Sequence, residues 1–363
     1  MIWRTSMINI YDLARFYSST IEVLLNRIYR LSSQIITSES IDEKIRCGLN
    51  LSELWIVADH LIRRLDAMAS PPIIDCLEPN KPYEVNDLAS VLHCCDRILN
   101  DEEHVLLAHE QETVRLIQDR LSDLAPLLGS DKCAKFPPAR SNEMKYSNER
   151  PFSANGNEEL VANNKSYIAF LYYVLVDVEV SAMEICSHQI LNNKGMPREF
   201  ALDLTKQIWD EARHAQYMYE LFIEKGGDQN TQVYTNNVIE RYMQSESLLE
   251  SLIIQQILQE GNAVEINLSL IKELTLLNRN SEANAFYNIN NDEAYHVTIG
   301  NKWIRYLVEA DGIQEEELLQ LMLNAADKID IPLFGKGGWN AEIRKLVGFP
   351  SWFIEVREQI FAH

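Results

Sequence analysis

Apolar residues recur every three to four positions along most of this chain, which is the spacing of an amphipathic α-helix. Strand-like alternation is nearly absent, and only 13 Gly and 11 Pro are available among 363 residues to interrupt helices. The hydrophobic share of 46% is sufficient for a sizeable core. The sequence therefore predicts an all-α protein.

The helical pattern divides the chain into regions. We predict an N-terminal helical region at 1–128, a linker or long loop at 129–157, a four-helix bundle at 158–312 and a C-terminal helical extension at 313–363. The segment 129–157 is rich in Ser, Asn, Pro and charged residues and lacks sustained periodicity, which is typical of a linker. The bundle helices are expected near 160–193, 197–225, 231–278 (with a break) and 279–310. The N-terminal helices either pack on the bundle or form a homodimer interface.

The charge of the chain excludes several classes of partner. Its 33 Lys and Arg against 54 Asp and Glu give a net charge of −21, which disfavours binding to nucleic acid and to anionic membrane surfaces. The longest apolar run, 167–176, has ten residues, well short of the roughly 20 that span a bilayer. The first residues lack the apolar stretch of a secretory signal, and the six cysteines lack a disulfide-framework spacing. We expect a cytoplasmic protein with no membrane partner.

Two copies of the motif Asp-Glu-x-x-His, at 210–214 and 292–296, lie inside helical patterns. Because a Glu and a His three residues apart share one helix face, each copy can direct a carboxylate and an imidazole at a metal ion. Two such motifs on facing helices suit two adjacent metal ions. The four residues concerned are Glu211, His214, Glu293 and His296.

A di-metal bundle also needs one glutamate from each of two further helices. Glu179 and Glu260 precede the motif glutamates by 32 and 33 residues, which suits two helical hairpins, and both lie on apolar stripes. Glu184 and Glu265 are competing candidates, but their spacings are 27 and 28 residues and they lie off the stripes. Buried carboxylates are costly unless neutralised. Four carboxylates and two neutral imidazoles carry four negative charges, which two divalent ions balance.

With these motifs the sequence resembles the ferritin-like di-iron carboxylate superfamily. More narrowly, residues from about 165 to 350 are similar to a largely uncharacterised bacterial ferritin-like family related to the tRNA-hydroxylase branch. The similar segments are VDVEVSAME around Glu179, QEGNAVE around Glu260, DEAYHVTIGNKWIRYLVEADGI and LFGKGGWNAEIRKLVGF. The family often has a histidine where this chain has Asp177, so a role for that position stays open. The resemblance covers about half of the chain and leaves residues 1–150 unexplained.

The resemblance implies a ferritin-like four-helix bundle and favours Glu179 and Glu260 as the two remaining metal ligands. It also implies that the motif aspartates act across the motifs, Asp210 on His296 and Asp292 on His214; as an alternative, both are surface residues beside a ligand. The implied cofactor is two Fe ions, and Fe/Mn or Mn/Mn centres suit the same ligands. No catalytic residue beyond the metal ligands is identified.

The implied function is that of a non-haem di-iron oxygenase or oxidase, an O2-dependent oxidoreductase with an external electron donor. Its partners are O2 and a small organic substrate, which it hydroxylates, N-oxygenates, desaturates or cleaves. A ferroxidase or other iron-handling protein, a scaffold with a structural metal site and a hydroxylase of a modified tRNA base are the alternatives. The net charge of −21 opposes the last of these.

Overall fold

The protein is all-α, as the periodicity predicts. A computed structural model describes residues 6–7, 10–68, 85, 87–100, 104–105, 108–122, 124, 136, 138, 140–152, 156–333 and 341–361. The helices of these residues are α1 Ile10–Thr37, α2 Ile41–Ala67, α3 Leu88–Leu99, α4 Ala108–Leu121, α5 Asn157–Ala162, α6 Asn164–Tyr173, α7 Val180–Asn192, α8 Arg198–Glu224, α9 Asn237–Tyr242, α10 Leu248–Leu252, α11 Glu260–Leu276, α12 Asn280–Asp311, α13 Glu315–Lys328, α14 Ala341–Leu346 and α15 Ser351–Phe361.

Two pairs of consecutive helices, α6 with α7 and α10 with α11, are each joined by a π-helical segment, in which the backbone turn holds an extra residue. The first segment, Val174–Glu179, joins α6 to α7, and the second, Ile253–Gln259, joins α10 to α11. Strands are minimal in the described part of the chain: four two-residue strands form two parallel pairs. These strands are β1 Ser6–Met7, β2 His104–Val105, β3 Lys145–Tyr146 and β4 Val233–Tyr234.

The centre of the molecule consists of two helical hairpins. The first pairs α7 and its π-helical segment with α8, and the second pairs α11 with α12. The short connections 193–197 and 277–279 make each pair antiparallel neighbours. The hairpins contact each other through α8 and α12 and share one continuous hydrophobic core.

The N-terminal helices pack on the first hairpin, α1 against α7 and α2 against α8. A close approach between α2 and α8 depends on Gly48, because a Cβ added there would lie 2.6 Å from the Cβ of Ala212. Ser40 caps the first turn of α2 by accepting a hydrogen bond from the backbone N–H of Glu43. Residues 10–67 therefore form an outer layer over the helices of the first hairpin.

A buried ion cluster joins three parts of the chain. Glu184 of α7 forms an ion pair with the ammonium of Lys44 from α2 at 2.7 Å. It also pairs with the guanidinium of Arg140, whose Nη2 lies 2.8 Å from Oε2 of Glu184. All three residues are buried. Arg140 lies inside the segment predicted as a linker or long loop, and it ties that segment to the core.

Among the described helices, none has the length and apolarity required to cross a membrane. Four of the six cysteines, Cys47, Cys94, Cys95 and Cys186, are buried free thiols. The other two, Cys76 and Cys133, lie outside the described residues.

Candidate metal centre

The six residues predicted as metal ligands come together at the centre of the two hairpins. Each hairpin supplies three of them, and all six are buried. The first hairpin contributes Glu179 from the end of its π-helical segment and Glu211 and His214 from α8; the second contributes Glu260 from the first residue of α11 and Glu293 and His296 from α12.

The two π-helical segments occupy matching positions relative to the cluster. Glu179 is the last residue of the first, and Glu260 immediately follows the second. Both segments close with a hydrogen bond across five residues, from the N–H of Val180 to the carbonyl of Leu175 and from the N–H of Glu260 to the carbonyl of Gln255. Such π-bulges are rare and occur frequently at functional sites. Neither segment is predicted from the sequence, because helical periodicity does not reveal one extra residue.

The cluster divides into two overlapping sets of four side chains, each with its ligand atoms within 4.8 Å of one another. Glu179 and His214 belong only to the first set, whereas Glu260 and His296 belong only to the second. Both sets contain Glu211 and Glu293. Two shared carboxylates between two terminal pairs suit two adjacent cations.

The shared carboxylates divide their oxygens between the two histidines. Oε2 of Glu211 lies 3.2 Å from Nδ1 of His214, and Oε1 lies 3.2 Å from Nδ1 of His296. Oε1 of Glu293 lies 3.6 Å from Nδ1 of His214, and Oε2 lies 3.1 Å from Nδ1 of His296. Each carboxylate thus offers one oxygen to each half of the centre, which is the arrangement required for bridging two metal ions.

The motif aspartates lie behind the histidines in the crossed arrangement that the resemblance implies. Nε2 of His214 is 3.2 Å from Asp292, and Nε2 of His296 is 3.3 Å from Asp210. An Nε2–H donated to the aspartate leaves the Nδ1 lone pair of a neutral ring directed into the cluster, which is the tautomer required of a metal ligand. Arg213 donates hydrogen bonds to both aspartates and so connects the two motifs.

The buried carboxylates of the cluster repel one another. Burial, followed by the repulsion of Glu293 and Glu211, raises the pKa of Glu260 well above its ordinary value. Burial likewise raises the pKa of Glu179 to about 8, although His214 opposes this, and Oε2 of Glu179 has no hydrogen-bond partner among the described residues.

The histidines compensate for this repulsion in part. Burial lowers the pKa of His214, but its interactions with the carboxylates of Asp292, Glu179 and Glu211 outweigh this effect and raise the pKa well above 6.5. Burial also acts to raise the pKa of Glu211, but the two histidines hold it well below its ordinary value. Two divalent cations would neutralise the four carboxylates and leave both imidazoles neutral, so the residues present fit a di-metal centre.

Two glutamine side chains, which are not among the residues predicted from the sequence, fix the carboxylate of Glu260. Nε2 of Gln255 donates to Oε1 of Glu260 at 2.6 Å, and Nε2 of Gln207 donates to the same oxygen at 3.1 Å. Gln207 in turn accepts a hydrogen bond from Gln256 at 2.8 Å. Because Gln207 is one helical turn before Glu211, its spacing in the motif helix is the signal that points to it.

The competing glutamates have other partners. Glu184 is held by Lys44 and Arg140, and these cations keep its pKa below the ordinary value despite complete burial. Glu265 pairs with Arg344 at 3.0 Å. Asp177 is buried as well, but it accepts hydrogen bonds from Thr235 and from the backbone N–H of Val238 at the start of α9. None of these three belongs to either ligand set.

A cavity of about 200 Å³ reaches the cluster from one side. Of the six cluster residues, the four glutamates line it and the two histidines do not. Its walls are mainly apolar and include Phe170, Val178 and Phe286. The cavity therefore gives a small molecule access to the carboxylate side of the cluster. The histidines and the two aspartates behind them are not part of its lining.

Fold and site together define an all-helical protein with a buried carboxylate–histidine cluster able to hold metal ions. Comparison with known families places the chain further: a family model described as a protein of unknown function, DUF455, matches residues 98–355. Because the match covers most of its length, the chain belongs to the DUF455 family. No curated protein and no solved structure matches the chain significantly.

Proposed function

We propose that this protein is a ferritin-like di-iron oxidoreductase that uses O2 to oxidise a small organic substrate. The observation that carries the proposal is the apolar cavity whose inner end is formed by the four glutamates of the cluster. Ligand sites of enzymes are typically concave and mostly apolar, with a few polar groups at the reacting end. Iron oxidation alone needs no such cavity, so the ferroxidase alternative has weaker support.

Each residue of the cluster has a defined place in this proposal. Glu179 and His214 would hold one ion, Glu260 and His296 the other, and Glu211 and Glu293 would bridge them. Mixed carboxylate and imidazole ligation suits iron and also accepts manganese. Two iron ions held there would supply the two electrons that reduce O2.

The remaining residues position the ligands and exclude water. Asp292 and Asp210 fix the rings of His214 and His296, and neighbours of this kind typically change metal affinity 10- to 100-fold. Gln207 and Gln255 hold the Glu260 carboxylate by hydrogen bonds. The apolar walls of the cavity keep bulk water away from the reacting atoms, which suppresses side reactions.

The test measures O2 uptake by anaerobically purified protein loaded with Fe(II). We expect the bound iron to be oxidised with about one O2 consumed per two iron ions, and excess Fe(II) to give no continuing turnover. Continuing oxidation of added Fe(II) would identify a ferroxidase instead. If the loaded protein consumes no O2, the site is structural and the proposal is wrong. The exposed-residue variant Glu309→Ala on α12 serves as the control that leaves the cluster intact.

A further inference from the structure

The cavity beside the cluster has a charged outer part as well as an acidic inner end. Two arginines line it, Arg150 and Arg241. Arg150 is exposed and Arg241 is partly exposed, whereas the four cluster glutamates in the same cavity are buried. The arginines therefore lie toward solvent, and the acids lie at the inner end.

Neither arginine has a carboxylate partner among the residues that the structure describes. The guanidinium of Arg150 lies over the rings of Phe152 at 4.9 Å and Tyr173 at 5.8 Å. Burial raises the pKa of the Tyr173 phenol, and the charges of Arg150 and Arg241 both oppose this by lowering it. Both cations thus act on the same side chain, Tyr173, and all three residues line the cavity.

Two arginines with no acidic partner in the described part of the chain are notable in a sequence that has 54 Asp and Glu against 33 Lys and Arg. Their planar guanidinium groups form paired hydrogen bonds with carboxylate or phosphate oxygens. The glutamates at the inner end would repel the same anion. A ligand with one anionic group is therefore oriented, with its charge at the arginines and its apolar body toward the cluster.

We propose that this cavity binds an amphipathic organic anion, with its carboxylate or phosphate on Arg150 and Arg241 and its apolar body directed at the glutamates of the cluster. The assignment of this anion as the substrate rests on the function proposed above, but its binding does not. The apolar side chains between the two ends, among them Phe170, Val178 and Phe286, fit a hydrocarbon or aromatic body.

The test uses calorimetric binding to the Fe(II)-loaded protein under anaerobic conditions, so that no reaction occurs. Three probes share one apolar body: 4-phenylbutanoate, 4-phenylbutyl phosphate and the neutral 4-phenylbutanamide. We expect at least one anion to bind about tenfold more tightly than the amide, and the tighter anion identifies the charged group. Equal affinities for the amide and both anions, or no anion binding at millimolar concentration, would overturn the proposal.

The variants Arg241→Gln and Arg150→Gln are compared with Arg63→Gln, which removes the same charge from an exposed position on α2. We expect the first two to weaken anion binding about tenfold and leave amide binding unchanged, and the control to have no effect. An anion that binds only by ligating iron would keep its affinity in both cavity variants, and that result contradicts the proposal.

Anion binding and O2 uptake are measured separately, so the anion site and the oxidoreductase function can be refuted independently. Anion binding that depends on Arg241, in a protein that takes up no O2, would support the anion site and refute the oxidoreductase. O2 uptake by a protein that binds the anions and the amide equally would support the oxidoreductase and refute the anion site.

Discussion

At the scale of single residues, the six cluster side chains are not equivalent. Glu211 and Glu293 each present one oxygen to His214 and the other to His296, whereas Glu179 and Glu260 belong to one half each. In the proposed centre, Glu211 and Glu293 would be ligands of both ions, whereas Glu179 and Glu260 would each be a ligand of one. Substitutions at the two kinds of position should therefore have different consequences for metal content.

We expect Glu211→Ala to lose most of both irons and Glu179→Ala to retain about one iron per chain. The first substitution removes a ligand from both sets, and the second removes a ligand from the His214 set alone. Iron is measured by elemental analysis after anaerobic loading, with Glu309→Ala as the exposed control. Equal iron content in all three variants would contradict the ligand set.

At the scale of helices and turns, much of the fold follows from periodicity. The pattern predicted helices near 197–225 and 279–310, and they occur at Arg198–Glu224 and Asn280–Asp311. The intervals to the motif glutamates also indicate Glu179 and Glu260 as candidates, because a helical hairpin brings residues about 32 apart to the same level. Regular repeats are sufficient for these predictions because helix geometry is local.

Other features of the site depend on tertiary contacts and were not predictable. The partners of Glu184 come from α2 and from the segment 140–152, so nothing in the local sequence pairs Lys44 and Arg140 with it. The same holds for Arg150 and Arg241, which line the cavity from separate segments. The π-helical segments were missed because their residues fit a regular helical stripe as well.

Close packing between α12 and the second π-helical segment gives a prediction at this scale. A Cβ at Gly300 would lie 2.3 Å from the Cβ of Gln256. Because this contact is near the backbone, α12 and the π-helical segment would have to separate. We expect Gly300→Ala to reduce the free energy of unfolding by about 1–3 kcal/mol and to weaken iron binding, since Gln256 supports Gln207.

The control is Gly195→Ala, in the exposed turn between α7 and α8, where an added Cβ meets nothing within 4 Å. Urea unfolding of the loaded proteins measures the free energies, and iron analysis measures the binding. Equal stability of the two variants would show that the helices accommodate the methyl group and would refute the packing argument.

At the scale of the whole molecule, the stability of the fold is coupled to the charge of its centre. Glu179 has a folded-state pKa of about 8, and the pKa values of Glu260, His214 and His296 are also raised well above their ordinary values. In the unfolded chain the glutamate carboxyls release their protons near pH 4.5 and the imidazoles near pH 6.5. Between these values and the folded ones, the folded state binds more protons, so stability falls as pH rises.

We therefore expect the melting temperature of chelator-treated protein to fall between pH 5 and pH 8. The lowered pKa of Glu211 does not change this sign, because its stabilising contribution is fully present above pH 4.5. Metal ions require deprotonated ligands, so their contribution to stability grows with pH. The difference in melting temperature between Fe(II)-loaded and metal-free protein should accordingly widen toward pH 8.

Scanning calorimetry at several pH values under anaerobic conditions measures this difference. The metal-free Glu179→Gln variant lacks one of the titrating groups and should show a shallower fall. If the loaded and metal-free proteins give parallel pH profiles, the cluster is not the group of residues that couples metal binding to folding.

The extra residue in each π-helical segment has a consequence for comparing this chain with its relatives. A π-helical segment accommodates its extra residue within one wider turn, so deleting one residue from 174–179 or 253–259 would leave a regular α-helix and redirect the side chains at the segment, among them those of Glu179 and Glu260. A relative whose corresponding helices are each one residue shorter would align well on both sides of the gap, yet its glutamates would face elsewhere. Single-residue gaps at these two places in an alignment therefore mark homologues that lack the carboxylate–histidine centre.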